Sequence, residues 1–264
     1  MSYKCLQYEI QDRIATLTLN RPERLNALGD TLREDLYDAI MKSQADENVG
    51  VLVITGAGRG FCSGGDVKSM SERNQSGQSS PVQEKMSPSR DRTVLAMRDC
   101  PKPIIAAING AAAGAGMNLA LACDMRIAST QAKFAQAFVK RGIAPDWGGS
   151  WFLPRVVGTA KAYELIFTGD TIDANEALRL GIVNYVVAPE ELMAETYKLA
   201  RKIAAGPPVA IALSKRAIQH NENVDLRAGL EFETFIQGVA RETEDSKEGV
   251  RAFMEKRAPV FRGR

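Results

Sequence analysis

The chain has 264 residues, 45% apolar and 25% charged, the balance of an ordinary folded domain and not of a disordered or fibrous chain. That length can bury a sizeable core without disulfide or metal staples. A net charge of +2, with no aromatic–basic surface pattern, argues against nucleic acid as a partner.

Four cysteines, Cys5, Cys62, Cys100 and Cys123, have no CxxC spacing and suggest neither a zinc site nor a disulfide framework. Free thiols fit a reducing compartment. The opening MSYKCLQYEI lacks the apolar stretch of a signal peptide, and there is no apolar run of about 18 residues. The expected location is cytoplasmic, with no membrane partner. The single histidine, His220, excludes a multi-histidine metal centre and reads as a solvated residue near a helix end.

In chain order, Ile14 to Asn20 alternates β-branched residues and predicts a strand. NRPERLNAL follows as a loop. Asp30 is expected to cap a helix that carries Leu32, Leu36, Ala39 and Ile40 on one face. Val51 to Thr55 reads as a buried strand, followed by the glycine-rich GAGRGFCSGG. Residues 71–90 are rich in Ser, Gln and Pro and read as a mobile loop. A helix is expected over Arg92 to Arg98, then a strand in PKPIIAAIN. GAAAGAGMNLALACD reads as a loop into a helix, and MRIAS and KFAQAF as strands. Helices then dominate, over 147–157, 159–168, 173–180, 190–205, 208–220, 226–244 and 246–257, interrupted by one strand in IVNYVV. Strand–helix units followed by helices indicate a layered α/β core and a helical C-terminal region, divided near residue 195.

Three segments could carry chemistry. GRGFCSGGDVK (58–68) and NGAAAGAGMNLALACD (109–124) are glycine- and alanine-rich turns after buried strands. Such turns let a ligand approach the backbone, and a helix start leaves N–H groups unpaired. Two of them facing one point would form an oxyanion hole. Tight, closely packed strand-to-helix turns explain the same composition. The second turn lacks the Lys-Ser/Thr of a phosphate loop. In FVKRGIAPDWGGSWFLPRVVG (138–158), Asp146 precedes a helix expected from about Trp147. A helix N-terminus would keep its carboxylate ionised, with Trp147, Trp151 and Phe152 as apolar walls. Aspartate is also a preferred helix cap, and residue type alone favours that simpler role.

The stretches TLNRPERLNAL (18–28), ITGAGRGFCSGGDVK (54–68), PKPIIAAINGAAAGAGMNLALACDMRIAS (101–129), GGSWFLPRVVG (148–158) and AFMEKRAPVFRGR (252–264) resemble, in order and spacing, the crotonase (enoyl-CoA hydratase/isomerase) superfamily. The resemblance implies an α/β crotonase-like spiral of ββα repeats over residues 1–195. It also implies a helical oligomerisation region over 196–264, building a homotrimer or a dimer of trimers. It implies an acyl-CoA thioester substrate, with CoA part of the substrate and no separate cofactor or metal. The oxyanion donors map to the N–H groups of Gly65 and Ala115. The CoA site maps to Arg24, Leu25 and Ala27, then Asp66, Val67 and Lys68, with Phe253 and Lys256 toward the adenine.

Two departures matter. The glutamates that position water in enoyl-CoA hydratases fall at Asn118 and Phe138, and neither side chain is an effective acid or base. Both are expected to line the substrate, with Trp147. Asp146 occupies a third position that some isomerases and the chlorobenzoyl-CoA dehalogenases use. The turn around it, the AAGAG segment and the closing KRxPxFxG resemble the 1,2-epoxyphenylacetyl-CoA isomerase branch of phenylacetate breakdown. The expectation is an isomerase with Asp146 as proton shuttle. Its rivals are a hydratase holding water between Asp146 and Asn118, and an inactive CoA-binding oligomer.

Overall fold

The computed structural model describes residues 3–66 and 92–264. Strand β1 (Leu6–Gln11) returns on β2 (Ile14–Leu19) through Asp12 and Arg13, both at positive φ, as a tight two-residue hairpin requires. Strand β3 (Val51–Gly56) lies parallel to β2. A short strand, β4 (Gly60–Cys62), then leaves this sheet for a second one. Strands β5 (Ile104–Ile108) and β6 (Ala111–Ala113) repeat the move, as do β7 (Met125–Ser129) and β8 (Lys133–Ala135). With β9 (Thr171–Asp173) and β10 (Tyr185–Val187), the sheets are ordered β1-β2-β3-β5-β7-β10 and β4-β6-β8-β9. Each step pairs a strand of the large sheet with one of the small sheet before a helix, which makes a spiral of ββα turns.

Alternation along the strands fills two cores. Leu52, Ile54, Ile104, Ala106 and Ile108 face the larger one, and Val51, Val53, Ile105 and Ala107 the smaller. This is why the segments read as unbroken apolar runs. Helix α1 (Leu32–Ala45) adds Leu32, Leu36, Ala39 and Ile40 to the larger core. Fully burying a Leu or Ile side chain stabilises by about 1.5–3 kcal/mol. The other helices are α2 (Arg92–Asp99), α3 (Ala115–Ala122), α4 (Gly149–Val157), α5 (Thr159–Thr168), α6 (Ala174–Arg179), α7 (Leu192–Ala204), α8 (Pro208–Asn221), α9 (Leu226–Glu242) and α10 (Glu244–Met254).

Several expectations need correction. Asp30 is not a cap. It sits at φ 54 and pairs with Lys4, while Thr31 precedes α1 and bonds Asp35. KFAQAF is a strand only to Ala135, because Val139–Arg141 turns into a 3-10 helix. IVNYVV is a strand only over Tyr185–Val187. The division at 195 falls inside α7, whose Leu192, Ala200 and Ala204 cover the smaller core. His220 is half-buried and stacks on Phe232, with ring centroids 4.3 Å apart. Among the described residues no helix is long and apolar enough to cross a membrane, and no cluster of His, Cys, Asp or Glu could hold a metal. The polar stretch 71–90 lies outside the described residues.

Candidate active site

Parallel pairing of β4 with β6 sets the two glycine-rich turns side by side, with Gly60 opposite Ala111 and Cys62 opposite Ala112. The turns then touch through their backbones. A Cβ at Gly64 would stand 2.6 Å from Ala113 O and 3.3 Å from Ala115 N. At Gly116 it would meet Cys62 O at 2.0 Å. Neither position can carry a side chain, and Gly64 is also at φ 90. Ala115 opens α3, so its N–H has no acceptor within the helix. Leu28 bridges to Gly65 through Leu28 N–H and Gly64 O at 2.7 Å, a pattern that leaves Gly65 N–H unused. Among the described residues neither Gly65 nor Ala115 donates a backbone hydrogen bond outside regular elements. Gly65 is half-exposed and Ala115 buried.

The loop that the resemblance places at the CoA site is laced onto the first turn. Asn26, fully buried, accepts from Arg21 N at 2.8 Å and donates to Ala57 O and Gly60 O at 2.9 and 2.8 Å. Sequence reading missed Asn26, whose signal is an amide in a loop flanked by apolar residues. Leu25 and Asn26 are both left-handed (φ 49 and 56). Arg24 is exposed, Leu25 half-buried and Ala27 buried. Asp66, expected to line CoA, is instead buried beside Gly29 and ion-paired with Arg21 at 3.0 Å. Val67 and Lys68 lie outside the described residues. Phe253 and Lys256 lie at the exposed end of α10.

Asp146 does not cap a helix. Helix α4 begins at Gly149, because Trp147 and Gly148 are left-handed, with φ 51 and 76. Asp146 O accepts from Gly149 N at 3.0 Å, closing a turn whose two central residues both have positive φ. A non-glycine residue in that conformation costs roughly 1–2 kcal/mol. Burial of Trp147 and the Arg33 guanidinium, 5.9 Å from its ring centre, hold it there. Asp146 itself is exposed.

Asn118 is fully buried, with both ends of its amide engaged by protein. It donates to Asp146 O at 2.7 Å and accepts from Gln136 Nε2 at 2.7 Å. It therefore braces the Asp146 turn from behind instead of lining substrate or holding water as expected. Phe138, also buried, packs its ring on Gly114, 3.6 Å from where a Cβ would lie, beside the Ala115 donor. Phe152 meets Gly148 closely, whereas Trp151 lies between Arg98 and Arg155, 4.7 and 3.9 Å from its ring centre. Burial pushes the Cys62 thiol up to about 12, so it is no nucleophile despite its place below the turns.

A family model described as enoyl-CoA hydratase/isomerase matches residues 9–264. The chain belongs to that family. It is 40% identical over 257 residues to the 1,2-epoxyphenylacetyl-CoA isomerase of Escherichia coli, covering 97% of each chain. It is equally identical (40%, over 263 residues and 99% of each chain) to the crotonyl-CoA hydratase of Syntrophomonas wolfei. The (E)-benzylidenesuccinyl-CoA hydratase of Thauera aromatica matches at 40% over 259 residues, 97% of this chain and 98% of that one. The crystal structure of an enoyl-CoA hydratase from Bacillus anthracis superposes with a TM-score of 0.92 at 36% identity, over 99% of this chain and 100% of that one. The crotonase fold and membership of this enzyme family follow. Overall identity does not separate isomerase from hydratase, so the difference has to be sought in the site.

Proposed function

We propose that the chain isomerises an acyl-CoA thioester, shifting a double bond or ring bond through an enolate. The Gly65 and Ala115 N–H groups hold the thioester oxygen, and Asp146 carries the proton. The observation that supports this reading is the pair Asn118 and Phe138. One is an amide engaged by the Asp146 turn and Gln136, and the other is a ring over Gly114. Neither can activate water, and Asp66, the carboxylate next to Gly65, is paired with Arg21. Asp146 is then the base, and no metal or redox cofactor is needed because backbone donors take up the enolate charge.

In the same reading CoA runs along Arg24, Leu25 and Ala27, with Val67 and Lys68, toward Phe253 and Lys256. The exposed apolar residues of α9 and α10, among them Leu226, Phe235 and Phe253, fit a homotrimer or a dimer of trimers working in the cytoplasm. The relatives named hydratases, at the same identity as the isomerase, favour water addition with Asp146 as base as the second reading. Mass spectrometry of the purified protein with a panel of unsaturated and ring-bearing acyl-CoA thioesters tests both. An isomer of unchanged mass supports the proposal. A product heavier by one water supports the hydratase, and no product with retained binding leaves an inactive CoA-binding oligomer.

A further inference from the structure

We infer that Asn118 and Gln136 form a buried amide relay that positions Asp146, an inference that rests on the proton-shuttle reading above. The chemistry of the contacts fixes the residue types. Asp146 O can only accept, so the Asn118 group 2.7 Å away is its NH2. That turns Oδ1 toward Gln136, which must donate through Nε2, also at 2.7 Å. A carboxylate at 118 could accept from Gln136 but could not donate to Asp146 O. The site therefore calls for a carboxamide where a hydratase carries glutamate.

Two further observations locate the relay at the site. Asn118 stands three residues along α3 from Ala115, about 4.5 Å of helix rise. Gly149 also makes room for the amide, since a Cβ there would lie 2.3 Å from Asn118 Nδ2. The supported turn is the one that holds Trp147 at positive φ, a conformation that persists only where its surroundings over-determine it. The Asn118 amide meets the main-chain oxygen of Asp146 itself, so a shift of the amide is passed directly to the residue that bears the carboxylate.

The test uses the full chain with a thioester it isomerises. Asn118→Leu should lower kcat about 10–100-fold, the range expected when a reacting group is displaced by about 1 Å. Its KM should change less than about threefold, because uniform substrate binding is untouched. Gln136→Leu should lower kcat in the same direction. Asn118→Asp supplies a readout that a purely structural role would not move. Protonated, the introduced acid can donate to Asp146 O as the amide does, and ionised it cannot. Charged or titratable groups around it are Asp146 on the turn, Arg33 over Trp147, Cys62 against Gly116 and Arg126 at the far end of α3. The ratio of variant to wild-type kcat should fall as pH rises, with melting temperatures at each pH showing that the fold persists. Should Asn118→Leu fail to fold, that ratio decides. A pH-independent ratio, or Asn118→Leu and Gln136→Leu both within about threefold of wild type in kcat, overturns the relay. Asp146→Asn in the same assay separates the two claims. If it is impaired while the relay variants are not, only the relay falls; if it is fully active, the proton-shuttle reading falls too.

Discussion

The Arg21 guanidinium and the Asp66 carboxylate meet at 3.0 Å with both side chains about nine-tenths buried, tying the loop 21–29 to the residue after Gly65. Arg21 also donates to Ala27 O at 2.7 Å, and Gly29 leaves no room for a side chain against the pair. Removing one partner of a buried ion pair typically costs about 3–5 kcal/mol. Arg21→Met should therefore lower the urea midpoint clearly and weaken thioester binding, since the same loop frames Gly65. Equilibrium unfolding and a binding titration check both effects. An unchanged midpoint would mean that Asp66 does not depend on Arg21.

Ala115 offers a way to delete one oxyanion donor with little disturbance of the fold. It is the first residue of α3, where proline is tolerated because the N–H has no helical partner. Ala115→Pro should lower kcat by about 10²–10³, the usual cost of losing one such donor. The far-ultraviolet dichroism should stay unchanged. Full activity with an intact fold would remove Ala115 from the mechanism.

The buried thiols give a pH signature. Cys62 and Cys123 are both pushed up to about 12 by burial, against an ordinary 9.0. Below pH 9 the thiols are protonated in folded and unfolded chains alike. Between about pH 9 and 12 the unfolded chain releases protons that the folded chain retains, so stability falls as pH rises. Urea midpoints compared at roughly pH 8 and roughly pH 10 should show the drop, reduced in Cys62→Ala. Both thiols should also resist alkylation in the native protein.

How much of this was legible in the sequence depends on range. Val51 to Thr55 and PKPIIAAIN declare buried strands, because residues covered on both sheet faces are uniformly apolar. The three-residue strands β4, β6 and β9 leave no periodicity to read, although β4 and β6 bring the two turns together. Asp146 reads as a helix cap by residue type, and only the positive φ of Trp147, which no propensity predicts, moves the helix start to Gly149. Asn118 could be flagged by its position but not assigned a role. Its partners, Gln136 and Asp146, lie 18 and 28 residues away.

Phe138 packs over Gly114, at the position that the family resemblance gives to a hydratase glutamate, so Phe138→Glu tests what the ring excludes. Burial at that point would raise the pKa of the new acid and leave part of it protonated near neutrality. The variant should isomerise more slowly and begin to form a product heavier by one water from crotonyl-CoA. General acid–base assistance of this kind contributes about 10²–10⁴ in rate, so even a misplaced carboxylate should lift hydration above the wild-type background. No gain of hydration would show that the ring is not what keeps water from reacting.

Asp146→Asn is the decisive substitution, because the structure separates its two possible roles. The carboxylate does not cap α4, whose first residue is Gly149, and the Gly149 N–H and the Asn118 amide both meet the main-chain oxygen of Asp146. An amide keeps that oxygen, the side-chain volume and the left-handed Trp147–Gly148 turn. Melting temperature and thioester KM should therefore stay close to wild type, while kcat falls by about 10²–10⁴ with the loss of the general base. The acid limb of the wild-type kcat–pH profile should disappear in the variant, because the group that must be ionised for proton abstraction has gone. Retained kcat would return Asp146 to an ordinary turn residue. Loss of melting temperature together with kcat would show that the carboxylate holds the turn and leave the proton without a carrier.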